Sequence, residues 1–229
     1  APFMVGSRSR LFREHPEWVI RDLEGRPVPE WRNYGPESGL TDPEHYALDA
    51  SHPAVLEHLR TKKDLGIHTE MLSDGIADLV EAGVVNGIRK DLNRTKTVGT
   101  FALGTERLHE FLHENTAIEL HAVRYVNDPR IIANENNFVS INATLTVDFI
   151  GQCASETIGG QYYSSSGGQN DFARGAMYSD GGQGFVVLHS TTSHGTSRIV
   201  PQLAAGDVVT TPKNTIDKIV TEYGVAELR

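Results

Sequence analysis

The feature that most constrains the fold is an alternation of strand-like and helix-like segments that begins at Leu65. Apolar and β-branched runs typical of strands occur at 65–70, 97–103, 117–126, 138–149, 184–191 and 206–210, and helical patterns occur at 73–83, 105–114 and 214–222. Strands that alternate with helices usually build parallel sheets covered by helices. The sequence therefore predicts an α/β fold with a mixed, mostly parallel sheet flanked by helices and an appended N-terminal segment.

The segment 65–75 places one carboxylate where such folds bind ligands. Its apolar start predicts a strand that ends at Glu70, and Ser73 and Asp74 supply the N-cap and first turn of the following helix. A carboxylate at the carboxyl end of a parallel strand, beside a helix N-terminus, lies at the ligand-binding edge of open α/β sheets. Glu70 is therefore the best candidate nucleophile, and the alternative is an ordinary solvated glutamate at a strand end.

A second candidate region is rich in glycine. Ten of the 22 glycines lie between Gly151 and Gly195, where the backbone must turn tightly or approach a ligand closely. Within it, Gly167, Gly168 and Gln169 form a loop whose backbone N–H groups could stabilise charge on a reacting oxygen. A set of ordinary hairpin turns is the alternative interpretation.

Several separate motifs follow one another from about Asp64 to Arg229. They are Gly66-Ile-His-Thr-Glu70-Met with Ser73-Asp74-Gly75, Asn136-Asn137-Phe138, Ile141-Asn142, Asp148-Phe-Ile-Gly151-Gln152, Gly167-Gly168-Gln169 with Asp171-Phe172-Ala173-Arg174-Gly175-Ala176, Thr210-Thr-Pro-Lys213 and Tyr223-Gly-Val-Ala-Glu-Leu-Arg229. In order and content they resemble the C-terminal domain of the acetyl-CoA hydrolase/transferase family, which includes the 4-hydroxybutyrate and butyryl-CoA:acetate CoA-transferases.

The resemblance implies a chemistry for Glu70. In the family, the aligned glutamate attacks the acyl-CoA thioester to give a mixed anhydride and then a glutamyl-CoA thioester, from which CoA passes to a second carboxylate. It also implies acyl-CoA and a small carboxylate as substrates, with no permanently bound cofactor. Asn142, Arg174 and Lys213 are the residues expected to contact CoA.

Two positions depart from the family pattern. Ser165 replaces the first glycine of a Ser-Gly-x-Gly-Gly-Gln loop, so a backbone position that needs positive φ would be lost. Ala154 stands where many relatives carry an asparagine near the CoA thioester. These departures favour a second interpretation, in which the chain is a catalytically incomplete fragment that binds CoA or a partner subunit without turnover.

The first 60 residues differ in character from the rest, since seven of the ten prolines and both tryptophans precede Ala54. Their motifs are Ala1-Pro-Phe-Met-Val-Gly6, His15-Pro-Glu-Trp18, Gly25-Arg-Pro27, Trp31-Arg-Asn33-Tyr34 and Tyr46-Ala-Leu-Asp49. These motifs resemble a piece of the catalytic barrel of family 36 α-galactosidases. The sequence thus predicts a chimera of residues 1–60 and 61–229, and an uncovered face on the second part predicts either self-association into a homo-oligomer or an exposed apolar patch.

Charge and cysteine content limit the partners and the compartment. The net charge of −9 argues against non-specific binding to nucleic acid or to anionic membranes, and no 18-residue apolar run is present. The single cysteine, Cys153, excludes an intramolecular disulfide framework and favours a cytoplasmic location. Because the net charge is negative, a site for the CoA phosphates depends on a few local cations such as Arg174, Arg198 or Lys213, and the alternative is that these are ordinary solvated surface charges.

One competing motif remains on the predicted helix 105–114. His109-Glu110-Phe-Leu-His113 matches the His-Glu-x-x-His pattern, in which two histidines on one helix face bind zinc and the glutamate activates water. The longer form of the pattern needs a third histidine where Glu119 stands. We therefore expect a surface helix without metal, and we keep a zinc hydrolase as the third interpretation.

Overall fold

The computed structural model describes residues 62–192 and 194–229, together with the backbone of two short antiparallel strands, β1 (Met4–Gly6) and β2 (His45–Ala47). Apart from those two strands, the α-galactosidase-like segment predicted for residues 1–60 and its boundary at residue 61 lie outside the described residues.

From residue 62 onward, short strands and helices alternate. In chain order they are β3 (Met71–Leu72), α1 (Asp74–Glu81), β4 (Thr97–Gly99), β5 (Phe101–Ala102), α2 (Glu106–Leu112), β6 (Ile118–Leu120), α3 (Val123–Val126), α4 (Pro129–Ile132), β7 (Val139–Ala143), β8 (Thr146–Asp148), β9 (Cys153–Ala154), β10 (Thr157–Ile158), β11 (Gln161–Tyr162), α5 (Gln169–Tyr178), β12 (Gln183–Val187), β13 (Ile199–Val200), a 3₁₀ turn (Lys213–Thr215), β14 (Lys218–Thr221) and β15 (Gly224–Glu227).

The largest sheet among the described residues has four strands in the order β15-β14-β12-β7. Strands β7 and β14 run parallel to β12, and β15 runs antiparallel to β14. One face buries Ser140, Val186 and Ile219, and α5 packs on β7 and β12. This mixed sheet, covered by a helix on one face, confirms the predicted fold class, and smaller parallel pairs join β3 to β5, β4 to β6 and β8 to β13.

Two apolar clusters hold these elements together. One joins the main sheet to the β8–β9 hairpin through Val147, Cys153, Val186, Leu188, Ile216 and Ile219. The other joins β4 to three helices through Val98, Val126, Ile132 and Phe172, with Tyr125 and Phe138 packed against it. Helices α4 and α5 approach closely because Gly175 has no side chain: a β-carbon there would lie 2.5 Å from Ile132 Cβ.

The first predicted helix forms for the reason its sequence gives. In α1, the spacing of Ile76 and Leu79 buries one face of the helix, and the chain leaves the helix at Gly83, whose φ is +71°. Ser73 is the N-cap residue as predicted, although its side chain makes no capping hydrogen bond. Asp74 instead accepts hydrogen bonds from the backbone N–H and the hydroxyl of Thr105, which joins α1 to the start of α2.

Some predicted elements were wrong. Residues 214–222 form a 3₁₀ turn and then strand β14, because the β-branched residues Ile219 and Val220 pair with β12 instead of continuing a helix. The predicted strand 117–126 divides into β6 and α3, and no regular strand forms at 206–210. Helix α5 was missed, because a glycine-rich sequence conceals its start. No helix in the described ranges is long and apolar enough to cross a membrane.

Candidate active site

Glu70 lies in an extended segment that pairs with its neighbours only in places. His68 forms an isolated parallel bridge with Val98, and regular pairing starts one residue after Glu70, at Met71. The carbonyl oxygen of Glu70 accepts hydrogen bonds from the backbone N–H groups of Thr100 (2.9 Å) and Phe101 (3.2 Å). The prediction that a strand ends at Glu70 was therefore wrong by two residues, because β3 continues the pairing to Leu72 before α1 begins.

The half-buried Glu70 carboxylate lies directly against the glycine loop. A β-carbon at Gly168 would lie 2.6 Å from Glu70 Oε2, and one at Gly167 would lie 3.3 Å from Oε1. Gly167 has φ +50°, and Gly168 is the N-cap residue of α5. Glycine at both positions lets the backbone and the positive end of α5 approach the carboxylate.

Asn127 completes the immediate surroundings of Glu70, and the sequence reasoning missed it. This residue caps the C-terminus of α3, is 8% exposed, and its Nδ2 donates a hydrogen bond to Glu70 Oε2. Its Oδ1 is buried without a hydrogen-bond partner among the described residues. The Asn127-Asp128-Pro129 turn signal marks a helix boundary, but nothing local in the sequence points toward a residue 57 positions earlier.

These groups lie in an open cleft of about 860 Å³. Besides Glu70 and Asn127, its lining consists of Val123, Arg124, Asp128, Pro129, Arg130, Ser166, Gly167, Asp171, Arg174 and Tyr178. Three arginines therefore share the cleft with three carboxylates. Arg124 and Arg174 are both exposed at its rim.

The charges in the cleft differ in how far they are already paired. Arg130 holds Asp128 with two side-chain nitrogens, at 3.0 Å and 2.6 Å, and this contact lowers the pKa of Asp128 to about 2. Burial raises the pKa of Asp171, which the nearby Arg174 opposes and the carboxylate of Glu70 reinforces. Arg130 is thus already paired with Asp128, whereas Arg174 lies near Asp171, whose raised pKa makes it harder to ionise.

The structure brings together only part of the predicted site. Arg174 lines the cleft, and Gln169, which is 9% exposed, begins α5 beside the glycine loop. Asn142 lies on β7, where its amide donates to Ser140 Oγ at 2.9 Å, and Lys213 begins the 3₁₀ turn against Gly151. Neither Asn142 nor Lys213 lines the cleft around Glu70.

The two departures from the family pattern leave the backbone intact. Ser165 does not have a positive φ, so the loop does not need glycine at that position. Ala154 is fully buried in β9, where it pairs with Thr146. The reduction in activity expected from either residue stays a prediction.

The two histidines of the zinc motif lie at the C-terminal end of α2. The helix ends at Leu112, and the backbone N–H of the cap residue His113 still donates to the carbonyl oxygen of His109 at 3.1 Å, so the pair keeps its helical spacing. Glu119, which stands where the longer pattern has a third histidine, lies on β6. Among residues 62–192 and 194–229, no group of three or more histidine, cysteine, aspartate or glutamate side chains could hold a metal ion.

The site thus consists of a half-buried carboxylate beside a glycine loop, in an open cleft of an α/β domain. Residues 104–229 match the family model of the acetyl-CoA hydrolase/transferase C-terminal domain. The chain belongs to this family, which confirms the resemblance that its motifs predicted.

Individual curated proteins that are similar to the chain are named CoA transferases. The chain is 58% identical over 177 residues to a succinyl-CoA:cyclohexane-1-carboxylate CoA transferase of Geobacter metallireducens, covering 77% of this chain and 40% of the relative. It is 49% identical over 177 residues to a 4-hydroxybutyrate coenzyme A transferase of Clostridium kluyveri, covering 77% and 41%. The chain thus spans about 40% of the length of these curated relatives.

Solved structures show the same fold. RipA from Yersinia pestis superposes with a TM-score of 0.71 at 47% identity, covering 77% of this chain and 40% of that one. A 4-hydroxybutyrate CoA-transferase from Porphyromonas gingivalis superposes with a TM-score of 0.65 at 38% identity, covering 80% and 42%. These superpositions confirm the α/β fold class.

Proposed function

We propose that this chain is the glutamate-bearing part of a CoA-transferase, which moves CoA between carboxylic acids through a glutamyl-CoA thioester on Glu70. The observation that carries the proposal is the position of Glu70: its carboxylate touches Asn127 and the glycine loop at the base of an arginine-lined cleft. The relatives that are named CoA transferases support the same conclusion.

The two oxygens of Glu70 have different surroundings, which suits a nucleophile. Asn127 holds Oε2, so Oε1 is the oxygen that attacks the thioester carbonyl carbon. A C–O bond forms, the C–S bond breaks, and CoA leaves as a thiolate with a mixed anhydride remaining on Glu70. The thiolate then attacks the glutamyl carbonyl, which releases the first carboxylate and gives the glutamyl-CoA thioester.

The return half of the reaction uses the same groups. A second carboxylate attacks the glutamyl thioester, CoA leaves and attacks the new acyl group, and Glu70 is regenerated. At each attack negative charge develops on a carbonyl oxygen beside the glycine loop and the N-terminus of α5. Backbone donors at such a position are worth roughly 3–4 kcal/mol each in other enzymes.

Substrate binding is assigned to the cleft. Arg124 and Arg174 at its rim are suited to the CoA phosphates or to the carboxylate substrate, whereas contacts of CoA with Asn142 and Lys213 stay predictions. The identity of the acyl group is not proposed. The cytoplasmic location, the absence of a permanently bound cofactor, the self-association, the boundary at residue 61 and the α-galactosidase-like interpretation of residues 1–60 also stay predictions.

A second candidate function is CoA binding without turnover. The observation that favours it is the pair of departures from the family pattern at Ser165 and Ala154. The two candidates differ in one product, because only a reacting Glu70 becomes covalently linked to CoA.

The experiment is to incubate the protein with acetyl-CoA and to locate adducts by intact mass and peptide mapping. We expect a CoA adduct on Glu70 in the unchanged chain and none in Glu70→Gln, because an amide cannot form the anhydride. Glu70→Asp should react about 10²-fold more slowly, since a displacement near 1 Å has that effect.

Glu110→Gln is the matched control, because it makes the same change on exposed helix α2 and removes the base of the zinc motif. It should form the adduct normally, and metal analysis of the unchanged chain tests the zinc interpretation. Binding of CoA by calorimetry with no adduct on the unchanged chain would instead establish binding without turnover.

A further inference from the structure

Two side chains of one extended segment reach consecutive residues of a single helix end. His68 Nε2 lies 2.7 Å from the carbonyl oxygen of Val126, the last residue of α3, and Glu70 Oε2 accepts a hydrogen bond from Asn127, the next residue. Alternate residues of extended backbone point to the same side, so both contacts form at once. The four residues therefore form a closed ring of connections: two side-chain contacts join His68 to Val126 and Glu70 to Asn127, and the backbone joins the two members of each segment.

His68 has one protonation state in this environment. It is 6% exposed, and its ring lies 6.2–6.4 Å from the rings of Tyr125, Phe138 and Phe172. Burial lowers the pKa of His68 from its ordinary value of 6.5 to about 4. Because a carbonyl oxygen only accepts, the neutral ring carries its proton on Nε2 and donates it to Val126.

An apolar side chain would fill this pocket without leaving a polar atom buried and unpaired. His68 Nδ1 is buried and has no hydrogen-bond partner among the described residues, and an unpaired buried polar atom destabilises a fold. The contact made by Nε2 is therefore what a polar ring contributes at this position.

The end of α3 needs an external partner. This helix has four residues, and the last carbonyl groups of any helix lack partners within it. His68 donates a hydrogen bond to the carbonyl oxygen of Val126, the residue immediately before Asn127. From the other side, Lys90 Nζ donates to the carbonyl of Ile67 at 3.1 Å, so the backbone on which Glu70 stands is held at neighbouring residues.

We propose that His68 is a positioning residue for Glu70: by holding the carbonyl of Val126, it aims the amide of Asn127 at Oε2 and leaves Oε1 beside Gly167 as the attacking atom. His68 does not itself touch the cleft. The inference rests on the proposed function only in taking Glu70 as the nucleophile.

The first test compares His68→Gln with His68→Asn, which differ by one methylene. The glutamine amide reaches the position of Nε2 and keeps the donor to Val126, whereas the asparagine amide falls short. The readout is hydrogen exchange of the Asn127 side-chain amide by NMR, which needs no turnover. We expect unchanged protection in His68→Gln and at least tenfold faster exchange in His68→Asn.

Phe138→Leu separates positioning from a general loosening, because it disturbs the same aromatic cluster without touching either hydrogen bond. It should lower the thermal midpoint while leaving exchange at Asn127 unchanged. Equal protection of Asn127 in both His68 variants would overturn the inference. So would faster exchange in Phe138→Leu that matches His68→Asn.

The second test uses transfer kinetics. His68→Asn should lower kcat about 10²-fold with KM for acyl-CoA unchanged, and His68→Gln should restore it. If Glu70→Gln is inactive while His68→Asn keeps the original kcat, the positioning inference is wrong and the proposed function stands. If Glu70→Gln remains active, the proposed function fails, and the exchange measurement still decides whether His68 orders Asn127.

Discussion

The floor of the cleft and its rim are built in opposite ways. At the floor, Glu70, Asn127 and His68 are buried or half-buried, and each contacts a partner from a distant part of the chain. At the rim, Arg124, Arg174 and Tyr178 are exposed, and Tyr178 is 63% accessible. The difference indicates that the fold fixes where the carboxylate stands, whereas the charges that meet a ligand remain free to adjust.

The largest expected effect comes from crowding the floor. In Gly168→Ala the new β-carbon would meet the ends of Asn127 and Glu70, the latter at 2.6 Å from Oε2. Gly168 has φ −88°, which alanine adopts without strain. The added methyl group therefore displaces the ends of Glu70 and Asn127 from the positions at which the fold holds them, and we expect a loss in kcat of about 10²-fold with little change in stability. Transfer kinetics and thermal unfolding of the same sample measure both.

Gly175→Ala is the matched control for this change. Its β-carbon would lie 2.5 Å from Cβ of Ile132, which is fully buried between α4 and α5 and cannot move aside. This variant should lose stability by roughly 1–3 kcal/mol through overpacking and keep its kcat in the folded fraction. If the two variants behaved alike, the distinction between displaced side-chain ends at the floor and a packed residue in the core would be wrong.

The next effect concerns the stability of the floor at low pH. The pKa of His68 is about 4 in the folded chain, mainly through burial and also through the nearby charges of Lys90 and His121, against 6.5 when exposed. Between these two pH values, His68 therefore binds a proton in the unfolded chain but not in the folded chain. Stability is therefore complete above pH 6.5 and falls as the pH drops toward 4, by about 2 kcal/mol at pH 5.

Urea unfolding at pH 7 and pH 5 measures this loss directly. His68→Gln has no titrating group at this position and should lose about 2 kcal/mol less between the two pH values. Every other ionisable group is the same in the two proteins and cancels in the comparison. The same pH dependence in both proteins would show that His68 is charged in the fold.

Some residues of the site could be predicted from the sequence, and others could not. Glu70, Gly167 and Gly168 were found because carboxylates and glycines in motifs carry a local signal, and Arg174 follows from the same motifs. Asn127 and the role of His68 were missed, since their contacts join positions about 58 residues apart. The helix predicted at 214–222 failed for a similar reason, because pairing with β12 decides the conformation of that segment.

The smallest expected effect comes from the rim, where single exposed charges contribute little. Arg174→Gln removes a cation that faces the cleft and the less readily ionised Asp171, so KM for acyl-CoA should rise about fivefold with kcat nearly unchanged. Arg130→Gln removes an equal charge from the same cleft, but Asp128 already neutralises that arginine. Its KM should change less than twofold by the same assay, and both effects should shrink as salt is added. A loss of kcat in Arg174→Gln comparable to that of Gly168→Ala would place Arg174 in the floor and remove the distinction between the two regions.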